Sequence, residues 1–347
     1  MIQDLLAALG VVVNGLPQGL LAMSFGFAAV PSAIAFIIGA VGVGALGLVA
    51  PISFQAETIT LAGKLGDSYR EKLSMVFMSG AIMGIIGVFG LLETVIDFVG
   101  TVITSGMMAG VGIMLSLVAV NMTRENRPVG LSSIATGLLV YVFTQDLVYT
   151  IVLSVAAGSV VGYLIEGERP GDFATEELLK IRRPVLNLPV LRGALALVCL
   201  TIGANIAFGE ITASLAGRPI NIDHLTVVSG LGNMGSSLFG GAPVESIISA
   251  TGAAPRPVLS AVMMMSIMAV ILLAGFLPRL GKYVPAQAIS GFLLVLGAIV
   301  TVPDNLEAAA ADPLVGGVTV TMTAITDPFI GLVSGLVVKM LSTAVGL

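Results

Sequence analysis

Charge is what this sequence has least of. Only 10% of its 347 residues are Asp, Glu, Lys or Arg, against about 25% in a soluble globular domain, and those few crowd into short loops. A water-facing surface is not built from so little charge, so the chain reads as a membrane protein. Cysteine and histidine are scarcer still: Cys199 and His224 stand alone. One cysteine excludes a disulfide within the chain, and Cys199, inside an apolar run, reads as a small core residue. No zinc or haem spacing, no phosphate-binding glycine loop and no pairing of nucleophile with base can be found. An enzyme is therefore not expected, nor any cofactor beyond a proton or sodium as coupling ion. A net charge of −5 with no basic cluster excludes nucleic acid as a partner. The opening Met1-Ile2-Gln3-Asp4 lacks a basic n-region, so no cleavable signal peptide is expected.

What the chain has in abundance is apolar residues, 56%, and 43 glycines. A spanning helix needs roughly 20 apolar residues, and broken spans need fewer. Candidate spans are 73–92, 101–121, 129–144, 147–165, 191–211, 222–239, 257–277, 283–303, 313–326 and 328–345. Two more lie in the first 50 residues, divided near Pro31, and 51–63 and 243–254 are shorter segments headed by proline. The total is about fourteen. Glycine permits the close helix crossings that short spans require. The longest polar stretch is Glu166–Pro189.

An internal repeat organises these spans. Gly90–Gly106 and Gly275–Gly291 have equal length, start and end on glycine, and are followed at the same distance by Gly112 and Gly297. Pro51 with its following residues answers Pro243 with its own, and Thr144-Gln145-Asp146 answers Thr326-Asp327. The chain divides into a first repeat, 1–165, a polar linker, 166–189, and a second repeat, 190–347. Seven spans per half is an odd number, so the halves enter the membrane in opposite senses, as in secondary transporters whose site lies between repeats. Alternating spans place most basic residues, in the loops at 64–72, 122–128, 166–192 and 278–282, on one side, with Arg218, Arg256 and Lys339 on the other. The positive-inside rule makes the first side cytoplasmic and puts both termini outside.

The glycine-bounded repeat, the Leu238–Pro243 stretch followed by Ser249-Ala250-Thr251-Gly252, and Ile206–Glu210 resemble the nucleobase:cation symporters, the xanthine/uracil permease and nucleobase/ascorbate group. Leu16-Pro17-Gln18-Gly19-Leu20-Leu21-Ala22-Met23 is similar to the first span of sulfate permeases, which share the architecture. The resemblance implies an all-α polytopic membrane protein with a 7+7 inverted repeat, core and gate domains, and short half-helices in the third and tenth spans. It implies a nucleobase, purine rather than pyrimidine, held by the third, eighth and tenth spans and moved with a proton or sodium ion as the core moves against the gate. The implied location is the cell membrane, with lipid and a second copy of the chain as partners. Two departures stand out. Aligned on Pro243, the family's tenth-span glutamate falls on Ser249, whereas here the acid is Glu245. Family members also keep their termini in the cytoplasm.

The residues themselves indicate where chemistry sits. Proline tolerates a first helical turn, so Pro51 and Pro243 are each expected to head a half-helix. Two N-termini, with free N–H groups and positive dipole ends, would then converge on an anion or a carbonyl oxygen. Glu57, Glu210 and Glu245 lie within or beside apolar runs, where an ionisable group is costly and functional by default. They are the expected substrate contacts and the carriers of the coupling ion. Ser246 and Ser249 are candidate polar contacts, Ser249 sharing a helix face with Glu245. Gln18, Gln55 and Asn205 are neutral amides in apolar surroundings, able to touch substrate or to join helices. Asp146 and Asp327 are expected to cap the spans that follow. Carboxylates accept from ring N–H groups and repel sulfate, which favours a nucleobase; the alternatives are a sulfate-permease-like anion transporter and a non-transporting membrane subunit.

Overall fold

The computed structural model describes residues 1–166 and 180–345, so most of the polar linker lies outside the described residues. In the first half run α1 (Ile2–Ser24), α2 (Ala29–Leu46), β1 (Ile52–Ser53), α3 (Ala56–Leu65), α4 (Tyr69–Val88), α5 (Leu92–Val99), α6 (Thr101–Glu125), α7 (Arg127–Thr144) and α8 (Leu147–Glu166). The second half runs α9 (Leu188–Ala216), α10 (Ile222–Leu238), β2 (Glu245–Ser246), a 3-10 turn (Ala250–Ala253), α11 (Pro257–Leu273) and α12 (Phe276–Gly281). A composite helix follows, α13 (Ser290–Leu294), a π segment (Val295–Thr301) and α14 (Val302–Ala309), then α15 (Pro313–Ile325) and α16 (Pro328–Val345). Eight of the described helices are long and apolar enough to cross a membrane.

The halves correspond in the order of their elements, except that a 3-10 turn stands where the first half has α3, and their contacts correspond as well. α4 packs on α10 and, with the halves exchanged, α11 packs on α2. Gly90 and Gly275, which open the repeated stretch, share the left-handed φ of +65° that closes a helix without a Cβ penalty. Gly106 on α6 faces α15, where a Cβ would come within 3.0 Å of Thr319 Cβ, while Gly291 on α13 faces Ser133 of α7. Gly112 and Gly297 meet each other, a Cβ on Gly112 falling 2.8 Å from the Gly297 carbonyl oxygen. The repeat read from the sequence is therefore a repeat of helix crossings. Asp146 and Asp327 cap as expected: Val148 N–H donates to Asp146 Oδ1 at 2.7 Å and Ile330 N–H to Asp327 Oδ1 at 3.0 Å.

Two compact units draw on both halves. The first comprises Met1–Leu92, Glu166–Ala194 and Ala204–Val284, the second Glu93–Ile165, Leu195–Gly203 and Pro285–Leu347. In the second unit, Val99, Ile103 and Val315 form a small core under Leu332 and Leu336. In the first, α1 is clamped to α11 by buried Asp4, which accepts from the Arg256 backbone N–H at 2.9 Å and pairs with its guanidinium at 2.8 Å. The last part of the linker is tied to α4, Val185 N–H donating to Ser74 Oγ at 2.9 Å and Asn187 Nδ2 to Glu71 Oε1 at 2.9 Å.

Candidate functional site

Inside the first unit the backbone twice leaves the helical state. Pro51 does not head a helix; it precedes β1, and α3 begins only at Ala56. Pro243 likewise precedes β2. The two strands pair antiparallel, Ile52 opposite Ser246 and Ser53 opposite Glu245. β-Branched Ile52, Val244 and Ile247 favour extended backbone, and pairing satisfies groups that would otherwise be orphaned in an apolar interior. After β2 the chain makes only a four-residue 3-10 turn, so the second half contributes no helix comparable to α3 at this point. The expected i, i+4 face of Glu245 and Ser249 is corrected accordingly, because both lie outside any α-helix.

Around β2 the backbone N–H groups of Val244, Ser246 and Ser249 are each met by a side chain. Asn205 of α9 is fully buried and donates to Thr226 Oγ1 and Ser229 Oγ, each at 3.2 Å, while its Oδ1 accepts from Ser246 N–H at 3.4 Å. Asn233 Oδ1 accepts from Val244 N–H at 2.7 Å. Thr212 Oγ1 accepts from Ser249 N–H at 3.1 Å and donates to the Ile247 carbonyl at 3.0 Å. Ser249 caps the 3-10 turn, accepting from Thr251 N–H at 3.2 Å. In this structure Asn205 holds the β2 strand and Ser249 the turn that follows it.

The first-half side differs. Glu57 lies in the first turn of α3, 5% exposed, with Oε2 buried and without a partner. Thr58 donates its hydroxyl to Glu245 Oε2, joining α3 to β2 through a buried carboxylate. Gln55, at the N-cap of α3, makes no side-chain cap; its Nε2 reaches the Ser246 carbonyl at 3.5 Å. α1 packs on α3; Gly15 faces Ser53, where a Cβ would sit 3.2 Å from Ser53 Oγ, and Gly19 faces the Phe54 ring. Beside these glycines Gln18 Oε1 and Asn14 Oδ1 are buried and unpartnered, as are Ser53 Oγ, Thr60 Oγ1 and Ser246 Oγ.

Of the residues expected from sequence, Gln18, Gln55, Glu57, Glu245, Ser246, Ser249 and Asn205 all belong to or adjoin this ribbon. Glu210 does not join them: it is exposed near the end of α9. Sequence reading missed Ser53, Thr58 and Asn14. A helical period was assumed after Pro51, which hid the alternation that places Ser53 opposite Glu245; Asn14 stands four residues before Gln18, one turn along the same helix.

Ribbon, half-helix and paired repeats define a class: a multi-pass membrane protein with the inverted-repeat core and gate fold of transporters. Among solved structures, the fold is shared with "The transmembrane domain of a cyanobacterium bicarbonate transporter BicA" at a TM-score of 0.69 and 16% identity, over 95% of this chain and 97% of that one. SLC26A9 gives 0.73 and 14%, over 99% of this chain and 65% of that chain, and murine Slc26a9, an anion transporter in the inward-facing state, 0.72 and 14%, over 100% and 69%. At these identities the likeness is one of fold. No family model and no curated protein matches the sequence. One of the three is described as a bicarbonate transporter and one as an anion transporter, and none as a nucleobase carrier.

Proposed function

We propose that this chain is a secondary transporter that carries a small anion across the membrane together with a proton or sodium ion, by movement of the site-bearing unit. The observation that carries the reading is α3, a helix that starts inside an apolar unit, beside a two-residue ribbon, with no side-chain cap on its N-terminus. Its free N–H groups and dipole favour negative charge. The fold shared with a bicarbonate transporter and an anion transporter supports the same class of substrate.

Magnitudes explain why an ion must accompany the anion. A monoanion about 4 Å from one ionised carboxylate is repelled by about 4 kcal/mol at an effective dielectric of about 20. A helix N-terminus returns at most about 2 kcal/mol. With both Glu57 and Glu245 buried here, a bare anion loses. A cation or proton bound with it reverses the sign, which is what coupling requires.

A second reading, a nucleobase substrate, is favoured by one observation. Gln18 Oε1 and Glu57 Oε2 are unpartnered acceptors, and ring N–H groups would satisfy them. The test is uptake into proteoliposomes of labelled hydrogencarbonate and sulfate, set beside xanthine and uracil, under imposed proton and sodium gradients. Anion accumulation that collapses with the gradient is expected. Base uptake without anion uptake would move the protein to the second reading, and uptake no greater than in empty liposomes would end the transport reading.

A further inference from the structure

We propose that the buried oxygens between α1, β1 and the first turn of α3 hold a sodium ion. Buried polar groups in folded proteins are paired in roughly nine cases of ten or more. Here Gln18 Oε1, Ser53 Oγ and Glu57 Oε2, on residues no more than 7% exposed, make no hydrogen bond, and the buried Asn14 Oδ1 is in the same condition. The chain carries them on adjoining elements. Gly15 lies against Ser53 Oγ and Gly19 against Phe54, so the α1 turn carrying Asn14 and Gln18 runs beside β1, and Glu57 follows Ser53 by four residues.

The chemistry of the set selects the ligand. Every open atom is oxygen, with no nitrogen among them, the preference of a hard cation. A proton would satisfy two acceptors at most and leave the others orphaned. A divalent ion ordinarily gathers several carboxylates, whereas no group of three or more His, Cys, Asp or Glu side chains placed to hold a metal exists among the described residues. One carboxylate oxygen with neutral amide and hydroxyl oxygens matches a single positive charge. α1 is closely packed at this level, a Cβ at Gly15 falling 2.8 Å from Met268 Cε, and close packing favours the smaller sodium over potassium. As a binding site the assignment stands on these residues alone, and as the ion that travels with substrate it rests on the transport reading above.

The experiment is thermal unfolding of the detergent-purified full chain in sodium, potassium or N-methylglucamine chloride at constant chloride and pH. A saturable rise in melting temperature with sodium alone is expected. Glu57→Gln should raise the half-saturating sodium concentration at least about tenfold, as the loss of a charge-assisted contact implies. Ser53→Ala, a smaller change, should raise it severalfold and answers the question if Glu57→Gln does not fold. A melting temperature indifferent to sodium, an equal response to potassium, or sodium responses in both variants identical to the parent would each overturn the site. In vesicles, uptake driven by a proton gradient and indifferent to sodium would overturn the ion's role and leave the transporter standing. Sodium-dependent stabilisation without uptake of any substrate would do the reverse.

Discussion

The two halves build the same crossing from different materials. In the first, Pro51 leads through β1 into α3, a helix of 10 residues; in the second, Pro243 leads through β2 into a 3-10 turn of 4 residues. The hydrogen bonding is unequal in the opposite direction. Asn205, Asn233 and Thr212 pin the second-half segment through buried bonds, while most of the open oxygens, those of Gln18, Ser53 and Glu57 among them, lie on the first-half side, with Ser246 Oγ facing them from β2. An inverted repeat gives each half the same geometry, but only one crossing needs to be rigid for the other to bind. The second half reads as the anvil and the first as the site, a division that makes opposite predictions for stability and function.

The largest expected effect is on the rigid side. Asn205→Leu removes two donated bonds and the acceptor for Ser246 N–H. Left in a dry interior, unsatisfied partners cost about 1–3 kcal/mol each, so a total destabilisation of about 3 kcal/mol or more is expected in thermal or denaturant unfolding. Stability within about 0.5 kcal/mol of the parent would mean that β2 is held by something other than Asn205, and the anvil would lose its main fixing.

Thr58→Val tests the link between the two sides. It keeps the shape and removes the hydroxyl that donates to Glu245. Hydrogen bonds to charged groups contribute about 1.5–3 kcal/mol, so a loss of about 2 kcal/mol is expected by the same measurement. Paired with Glu245→Gln in a double-mutant cycle, the two losses should be strongly non-additive; simple additivity would show that the bond does not couple α3 to β2.

How far the sequence reveals this arrangement follows from what each residue's role depends on. The repeat was legible because Gly106, Gly112, Gly291 and Gly297 mark backbone approaches that tolerate no side chain, and such positions print directly as glycine. The caps Asp146 and Asp327 were legible for a similar reason, since a cap is set by neighbours in the chain. The ribbon was not. A strand of two residues is too short to show alternation, and proline before it is equally compatible with a helix start. Nor could sequence separate Asn205 from Gln18: both are amides in apolar spans, and which one is satisfied depends on Thr226 and Ser229 arriving from another helix. Glu210 looked like Glu245 for the same reason, because an acid near the end of an apolar run is buried or exposed according to where the helix stops.

Ser249→Ala gives a smaller effect and a check on the second-half turn. Its hydroxyl caps the 3-10 turn and meets Thr251 Oγ1 at 2.7 Å. Loss of a cap costs about 1 kcal/mol, and substrate uptake should be unchanged apart from that loss of stability. A variant of undiminished stability with impaired uptake would return Ser249 to the substrate contacts expected from sequence.

Ser53→Ala should have the least effect on stability and is the sharpest test of the division. Its hydroxyl is 1% exposed and makes no hydrogen bond. Removing an unsatisfied buried hydroxyl relieves a desolvation cost instead of breaking a contact, so the unfolding transition measured without ligand should stay where it is or rise slightly. Uptake should fall all the same, because a residue that contributes nothing to the empty fold has its value only when something fills the site. Loss of stability comparable to that of Asn205→Leu would show that both crossings are scaffold, and the asymmetry between the halves would no longer locate the site.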